Sequence, residues 1–364
     1  MSSSSSSISI PCWKGPLKGI VTPLATPLLS QDVIDKPGTT KLLEHVLQEG
    51  GGVQGLFLLG STGEGPSLSH EARTEFVQYC CQQVAMITAA AKQTKDAVQV
   101  QVQAPTILVS VSDTCFSNTV ALTKVAKQAG ANAVVLTTPY YFSMSQSELV
   151  RYVQRYIETC KADDIIMPAF LYNIPFLTTN HWEVETVQQL VQQYPDQIVG
   201  IKDSSGNLEY FTQLCRQLKK STGAQNQFTV MMGPEQLLPQ AIQDAGADGG
   251  VHGGSNIDPQ LFVALYRALT MTAVKEEGNN EQQQQQPLVD SLMKRVHQLQ
   301  QVYQVADTQA HPFSRFISGT KGALAVKGIC RPFVNEPFTE LNTEELERIR
   351  VIVEALEADQ KTGK

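Results

Sequence analysis

The sequence lacks a long hydrophobic run and lacks paired cysteines. No stretch of about 18 apolar residues occurs, so no transmembrane helix is expected. The chain has 7 cysteines, an odd number, and none forms a C-x-x-C pair suited to zinc or redox chemistry. We therefore expect buried free thiols in a reducing compartment and predict a cytoplasmic protein.

Positive charge is also in the minority. Lysine and arginine total 28 against 35 acidic residues, for a net charge of −7. This balance argues against nucleic acid or an anionic membrane as the main partner. Hydrophobic residues make up 42% and charged residues 17%, which is the composition of a folded protein with a large core.

The N-terminus is a serine tract that lacks the basic start and apolar core of a secretory signal. We predict a disordered tail over residues 1–16. Its serine-rich composition leaves an organellar transit peptide open as the alternative. A second low-complexity stretch, 275–287, contains five consecutive glutamines and is predicted to be a flexible insertion.

Between these two stretches, short apolar runs alternate with helical segments. Such alternation predicts right-handed βαβ units and a parallel sheet. Eight units over about 255 residues match the size of a (β/α)8 TIM barrel, which we place at 17–274. No G-x-G-x-x-G follows the first strand, which disfavours a doubly wound sheet. Residues 288–364 form a predicted C-terminal helical extension. The predicted strands are 17–23, 55–59, 106–111, 133–137, 169–173, 198–203, 229–233 and 249–253.

The sixth predicted strand ends in a lysine, Lys202. Its apolar, β-branched residues are typical of a strand buried on both faces. Burial disfavours the ammonium form, so a lysine here suits a neutral amine that attacks a carbonyl. The structural alternatives are that Lys202 extends its amine to solvent or pairs with Asp203.

Other strand ends are rich in polar residues, and in a barrel these ends meet at one mouth. Ser61 and Thr62 offer hydroxyls beside a helix N-terminus, which suits a carboxylate or merely a helix cap. Glu64 is expected to hold this turn in shape. The Tyr172 phenol suits proton transfer, or else an ordinary amphipathic tyrosine. The remaining polar residues at these ends are Thr22, Tyr140, Tyr141, His252, Ser255 and Asn256; His252 has no partners at metal-ligand spacing.

Four motifs, in order, resemble those of the dihydrodipicolinate synthase / N-acetylneuraminate lyase family. The resemblance covers about residues 17–269, and the C-terminal helices also fit. The segments that carry it are Gly60-Ser61-Thr62-Gly63-Glu64, Thr138-Pro139-Tyr140-Tyr141, Leu171-Tyr172-Asn173-Ile174-Pro175 and Gly200-Ile201-Lys202-Asp203-Ser204-Ser205-Gly206-Asn207.

The resemblance implies a class I pyruvate aldolase or lyase that needs no metal or organic cofactor. Lys202 would form a Schiff base with the keto carbon of pyruvate or another 2-keto acid. Tyr172 would shuttle protons, and Ser61 with Thr62 would hold the carboxylate. Tyr141 matches a tyrosine that crosses from a neighbouring subunit to support Tyr172. The expected assembly is a homotetramer built from tight dimers.

One departure from the synthase branch concerns substrate choice. That branch has an arginine just after the Y-N-x-P motif, and here Phe176 and Leu177 follow Pro175. This favours a branch that acts on sugar acids, with Glu235, Ser255 and Asn256 as candidates for binding hydroxyl groups.

The first hypothesis is therefore an aldolase or lyase that interconverts a 2-keto-3-deoxy sugar acid with pyruvate and an aldehyde. The alternatives are 4-hydroxy-tetrahydrodipicolinate synthase, which condenses pyruvate with aspartate semialdehyde, a keto-deoxy-acid dehydratase, and a non-catalytic keto-acid sensor. A sensor would not need both Lys202 and Tyr172. A metal-dependent barrel enzyme is disfavoured because no carboxylate and histidine cluster lies at the predicted strand ends.

Overall fold

The computed structural model describes residues 13, 15–48, 52–93, 104–221, 228–273, 281–307 and 309–362. Its parallel strands close into a barrel in the order β1-β4-β5-β6-β7-β8-β9-β10, and β10 pairs with β1. The predicted TIM barrel is thereby confirmed. The barrel strands are β1 (Gly19–Pro23), β4 (Gly55–Leu58), β5 (Thr106–Ser110), β6 (Ala133–Thr137), β7 (Ala169–Asn173), β8 (Ile198–Asp203), β9 (Thr229–Met232) and β10 (Gly249–Val251). A small antiparallel hairpin joins β2 (Leu28–Ser30) to β3 (Val33–Ile34).

Helices follow the barrel strands and continue into the C-terminal extension. Ser145 caps one of them through a reciprocal hydrogen-bond pair with Glu148, as its S-x-x-E sequence favours. Within the described ranges, no helix is long and apolar enough to span a membrane. The helices are α1 (Lys36–Gln48), α2 (His70–Gln93), α3 (Phe116–Ala129), α4 (Gln146–Ala162), α5 (Pro175–Thr178), α6 (Val184–Gln193), α7 (Leu208–Ser221), α8 (Leu238–Gln243), α9 (Pro259–Ala273), α10 (Glu281–Leu299), α11 (Pro312–Val326) and α12 (Thr343–Thr362).

Side chains alternate between the inside of the barrel and the layer beneath the helices, as the period of two along a strand requires. The interior is filled by bulky apolar residues, among them Phe57, Leu108, Phe170 and Met231. The half-buried Trp13 packs its ring edge-on against Phe170, with ring centroids 5.4 Å apart. Trp13 falls within the predicted tail of residues 1–16, and its ring covers apolar surface of the barrel. Residues 1–12 and 14 lie outside the described part, so the disordered tail stays a prediction.

The predicted flexible insertion at 275–287 overlaps the first turns of a helix and stays a prediction for its remaining residues. Residues 274–280 lie outside the described part, but α10 begins at Glu281 and includes Pro287. Glutamine has a favourable helix propensity, and the later turns of α10 bury Val289, Val296 and Leu299 against the core. This packing stabilises a helix that begins seven residues before the predicted start at 288.

The six cysteines in the described part are all free thiols, as predicted. Cys80, Cys81, Cys160 and Cys215 are buried. The prediction of burial is wrong for Cys115, which is exposed just before α3. Cys330 is half-buried.

Candidate active site

Lys202 lies near the end of β8 with its side chain 7% exposed. Its Nζ lies 4.2 Å from the ring centroid of Tyr172 and 5.0 Å from that of Phe57. Lys202 therefore does not extend its amine to solvent. Among the described residues it forms no ion pair, so an aromatic surface surrounds the amine in place of a carboxylate.

Asp203 does not pair with Lys202, because successive side chains of a strand point to opposite faces. Its carboxylate accepts hydrogen bonds from Asn173 Nδ2 at 2.8 Å and from the Ser205 backbone N–H at 3.1 Å. The Ser205 hydroxyl donates a further bond at 3.0 Å. Burial raises the Asp203 pKa to about 6, and the hydrogen bonds from Asn173 and Ser205 oppose that rise. Asp203 thus fastens β8 to β7 and to the following loop.

Tyr172 is the direct partner of Lys202 in the ladder between β7 and β8. The Tyr172 side chain is 3% exposed, and its hydroxyl accepts a hydrogen bond of 3.4 Å from Ser204. The Phe57 ring meets the Tyr172 ring edge-on at 5.9 Å. These contacts hold the Tyr172 phenol beside the Lys202 amine. The phenol can therefore donate a proton to, or accept one from, a molecule that lies within reach of the amine.

The predicted carboxylate turn follows β4. Ser61 begins a 3-10 turn and lines the cavity described below, and Thr62 is buried in the same turn. Glu64 ends the turn with φ of 56°, a left-handed conformation that a non-glycine residue adopts at a cost. The turn therefore needs support from outside its own sequence.

Glu64 supplies that support, as predicted, through the C-terminal extension. Its carboxylate lies 2.9 Å from Lys321 Nζ in α11, and both side chains are 1% exposed or less. The same carboxylate accepts the Asn335 backbone N–H at 2.8 Å. Lys321 also donates to the Phe333 carbonyl at 2.9 Å. A buried ion pair, together with the hydrogen bonds from Asn335 and Lys321, thus joins the turn to two C-terminal segments.

A cavity of about 570 Å³ opens beside Tyr172. The ends of β4 to β7 form one wall, and residues 311–314 and 336–338 form the other. Among the described residues that line it there is neither lysine nor arginine. Its hydroxyl-bearing residues are Ser61, Ser67, Ser110, Ser112, Thr137, Tyr140, Tyr172, Thr178 and Ser314, and its other residues are Leu59, Glu64, Pro66, Ile174, Leu177, His311, Phe313, Glu336, Pro337 and Phe338.

Thr22, Ser255 and Asn256, which were predicted to lie at the mouth of the barrel, form hydrogen bonds that connect β1 to the turn after β10. Ser255 donates to Thr22 Oγ1 at 2.9 Å and also to the His252 carbonyl. Asn256 donates to the Pro23 carbonyl at 2.9 Å and accepts the Ala25 N–H at 2.9 Å. Ser255, Asn256 and Thr22 are fully buried and do not line the cavity. The prediction that Ser255 and Asn256 bind substrate hydroxyls is therefore not supported by their positions.

Glu235 is likewise buried away from the cavity lining. Its carboxylate accepts the Gly254 N–H at 2.5 Å and a hydrogen bond of 3.2 Å from Gln300 Nε2. Burial raises the Glu235 pKa, and these hydrogen bonds oppose the rise. Glu235 links the loops after β9 and β10 to the end of α10, and this position does not support the predicted contact with substrate.

His252 is held as a neutral ring. Its Nδ1 lies 2.9 Å from the Gly233 carbonyl, which can only accept, so Nδ1 carries the proton. Burial, together with the charge of Lys202, lowers the His252 pKa to about 4. His252 does not line the cavity, and its ring packs against Phe262.

Tyr140 and Tyr141 follow β6 but differ in environment. Tyr140 lines the cavity, and burial raises the pKa of its phenol. Tyr141 is 82% exposed with φ of 80°, and its ring stacks edge-on against the exposed Phe142. The predicted contact of Tyr141 with a neighbouring subunit stays a prediction, since one chain is described.

Comparison with known proteins decides the family. Residues 16–356 match the dihydrodipicolinate synthetase family. The chain belongs to this family. Its relatives include the putative 2-dehydro-3-deoxy-D-gluconate aldolase YagE of Escherichia coli, 31% identical over 69% of this chain and 73% of that protein. Family membership supports the predicted class of enzyme, an aldolase, lyase or synthase that acts on small molecules.

Solved structures agree. Dihydrodipicolinate synthase from Bacteroides thetaiotaomicron aligns with a TM-score of 0.77 and 32% identity, covering 94% of this chain and 99% of that one. The complex of E. coli YagE with pyruvate aligns with a TM-score of 0.74 and 26% identity, covering 93% and 98%. Both similarities extend beyond the barrel into the C-terminal extension, so the extension is part of the family's architecture.

Proposed function

We propose that this protein is a class I aldolase that interconverts a 2-keto-3-deoxy sugar acid with pyruvate and a hydroxyaldehyde. The observation that carries the proposal is the pairing of Lys202 with Tyr172, of which Tyr172 lines a cavity rich in hydroxyl groups and Lys202 does not. An amine and a phenol in contact are the two groups that imine chemistry needs. The pyruvate complex of the related YagE supports the choice of keto acid.

The reaction begins when the neutral Lys202 amine attacks the keto carbon of pyruvate. Tyr172 protonates the keto oxygen, and the resulting carbinolamine loses water to form a protonated imine. The Tyr172 phenolate, which has given its proton to the departing water, takes a proton from the methyl group and becomes a phenol again. The imine nitrogen accepts the electron pair left on the methyl carbon, which gives an enamine. Ser61 and Thr62 hold the carboxylate of pyruvate during these steps.

The enamine carbon then attacks the aldehyde carbon, and Tyr172 donates the proton that converts the aldehyde oxygen into a hydroxyl group. Water adds to the imine carbon and releases Lys202 together with the product. Cleavage of the keto acid follows the same steps in reverse.

The cavity lining distinguishes this proposal from the synthase alternative. Aspartate semialdehyde carries a carboxylate, which an arginine or lysine would normally bind. Leu177 and Thr178 occupy the wall just after the Y-N-x-P motif, and no described cation lines the cavity. Synthase relatives, such as that of B. thetaiotaomicron, keep this second candidate in the experiment below.

Borohydride trapping with pyruvate, followed by peptide mass spectrometry, tests the proposal. We expect a reduced pyruvyl adduct on Lys202, and no adduct in Lys202→Ala. Lys124→Ala removes an exposed lysine of α3; it is the matched control and should trap normally. Absence of an adduct on folded wild-type protein would overturn the imine mechanism and favour a keto-acid sensor.

Product analysis then separates the remaining alternatives. An aldolase consumes pyruvate with glyceraldehyde and gives a longer keto acid. A synthase consumes aspartate semialdehyde instead. A dehydratase releases water from a keto-deoxy acid and yields no pyruvate. We further propose a cytoplasmic homotetramer in which Tyr141 reaches the Tyr172 of a neighbouring subunit; its exposed ring supports this role.

A further inference from the structure

Thr137 ends β6 on the inner face of the barrel. Ala133 and Val135, four and two residues earlier, both belong to the interior cluster, and Thr137 follows in the same alternation. In the ladder, Thr137 pairs with Tyr172, and Tyr172 pairs with Lys202. Threonine, phenol and amine therefore form one row across three adjacent strands.

The Thr137 backbone is anchored, but its side-chain hydroxyl lacks a polar partner among the described residues. Its backbone N–H donates to Ser112 Oγ at 2.8 Å, which anchors the end of the strand. Its Oγ1 is buried, and no described residue hydrogen-bonds to it. A buried hydroxyl without a partner is costly, and Thr137 lines the cavity, so a substrate that reaches the covered Oγ1 would supply its missing partner.

The row of Lys202, Tyr172 and Thr137 also determines the order in which the parts of a bound substrate would contact these three side chains. Pyruvate is bound at Lys202, and Tyr172 serves the oxygen that was the aldehyde carbonyl. One strand spacing beyond Tyr172, about 4.8 Å, lies Thr137. A hydroxyaldehyde carries its next oxygen on the carbon adjacent to the carbonyl, and a substrate that extends from Tyr172 toward β6 brings this oxygen to Thr137. The buried Ser110, which also lines the cavity, extends the polar wall from β5.

We propose that Thr137 determines aldehyde specificity by hydrogen-bonding the hydroxyl group adjacent to the aldehyde carbon. This inference rests on the proposed function, since it requires pyruvate on Lys202. It assigns a role to a residue outside the motifs that carry the family resemblance. Because Thr137 is otherwise unpaired, an aldehyde without this hydroxyl leaves a buried polar group unsatisfied, and the enzyme discriminates against that aldehyde.

Two aldehydes of similar size and two enzymes test the assignment. Glycolaldehyde carries the adjacent hydroxyl, and propanal has a methyl group in its place. We expect wild type to prefer glycolaldehyde in kcat/KM by roughly 10- to 100-fold, the scale of one buried hydrogen bond. Thr137→Val keeps the shape of the side chain and should lose most of this preference by slowing glycolaldehyde alone. Thr137→Ser should retain it.

Thr212→Val removes a hydroxyl from α7, where it donates to the Leu208 carbonyl, and serves as the matched control. It should leave both rates unchanged. An equal loss with both aldehydes in Thr137→Val would show that Thr137 only packs against Tyr172, and would overturn the inference. So would a wild-type enzyme that traps pyruvate but consumes neither aldehyde. Failure of wild type to trap pyruvate at all would instead refute the proposed function.

Discussion

Lys202 and Tyr172 hold paired positions on β8 and β7, and the lysine Nζ lies 4.2 Å from the centre of the tyrosine ring. The parallel ladder fixes this relationship, because paired residues of adjacent strands face the same side of the sheet. The amine therefore meets the aromatic ring, and the adjacent Asp203 points away toward Asn173. The pairing places an amine and a phenol side by side on two neighbouring strands.

Tyr172→Phe tests the role of the phenol. The variant keeps the ring that covers Lys202 and removes only the hydroxyl, so we expect kcat to fall by roughly 100-fold, the scale of a positioned proton donor. Steady-state kinetics with pyruvate and an aldehyde provide the measurement. Ser204→Ala removes the hydrogen bond to the phenol and should have a smaller effect. An unchanged kcat in Tyr172→Phe would reduce Tyr172 to a packing residue.

The barrel and its central residues could be predicted from the sequence because they depend on local patterns. Buried parallel strands give continuous apolar runs, and a barrel places their ends at one mouth. That rule found Lys202, Tyr172 and Ser61. Applied to β6, the rule would also have identified Thr137. This residue is the last of its strand and lies outside the family motifs.

The same rule failed after β10. There the chain enters a 3-10 turn, Gly253–Asn256, that packs against β1. The Asn256 side-chain amide forms hydrogen bonds with the backbone of Pro23 and Ala25, so it serves the fold and is not available to a ligand. A polar residue that follows a strand can close the barrel as readily as bind a ligand, and the sequence does not distinguish the two.

The far wall of the cavity could not be predicted either. His311, Phe313 and Phe338 come from the C-terminal extension, and no local pattern signals their contact with the barrel. The hydrogen bond from Asn335 to Glu64 joins residues 271 positions apart. Such pairings depend on how the extension packs, which hydrophobic periodicity alone does not specify.

The Glu64–Lys321 pair gives a prediction about stability and pyruvate binding together. Glu64→Gln or Lys321→Met leaves one buried charge without its partner, at a cost of roughly 3–5 kcal/mol in the free energy of unfolding. The double variant removes both charges and should be less destabilised than either single variant. Because the pair supports the Ser61 turn, the single variants should also raise the KM for pyruvate.

Urea unfolding measures these differences. The exposed pair of Arg350 and Glu347 is the control, and Arg350→Ala should cost less than about 1 kcal/mol. If the effects of Glu64→Gln and Lys321→Met simply add in the double variant, the two side chains do not interact, and their proposed support of the turn is wrong.

His252 predicts a loss of stability in acid. Its pKa is lowered to about 4 in the fold, below the usual 6.5, so the folded protein resists protonation. The stabilising contribution is complete above pH 6.5 and is lost as the pH falls toward 4. The full effect on the free energy of unfolding is about 3 kcal/mol, because the pKa is lowered by about 2.5 and each pKa unit corresponds to 1.36 kcal/mol.

Asp203 has the opposite effect on stability. Its pKa is raised to about 6 in the folded protein, so its unfavourable contribution to the free energy of unfolding diminishes as the pH falls from 6 to 3.8.

The two contributions overlap in pH, so the difference between wild type and His252→Gln is the useful quantity. Gln keeps a donor for the Gly233 carbonyl but does not titrate. We expect the wild-type advantage in the free energy of unfolding to shrink between pH 7 and pH 4 by up to about 3 kcal/mol. A difference that stays constant over this range would show that His252 is not held neutral by burial.

Tyr141 gives a prediction about assembly. Its exposed ring and left-handed backbone are unfavourable in an isolated chain, and both suit a surface that another subunit covers. If Tyr141 completes the site of a neighbour, Lys202→Ala and Tyr141→Ala subunits should each be inactive alone. After mixing, a hybrid dimer contains one site with an intact Lys202 and an intact Tyr141 from its partner. Activity should then recover to roughly a quarter of wild type, because half of randomly formed two-fold dimers are hybrids with one working site.

The opposite result is equally specific. If Tyr141 serves only its own chain, every site in the hybrid lacks either Lys202 or Tyr141, and mixing restores nothing. Mixing Lys202→Ala with Tyr172→Ala subunits is the control, because both residues lie in one barrel and no exchange of subunits can reunite them. Recovery in the first mixture and none in the second would assign Tyr141 to the neighbouring active site. It would also establish that the catalytic unit of this protein is at least a dimer.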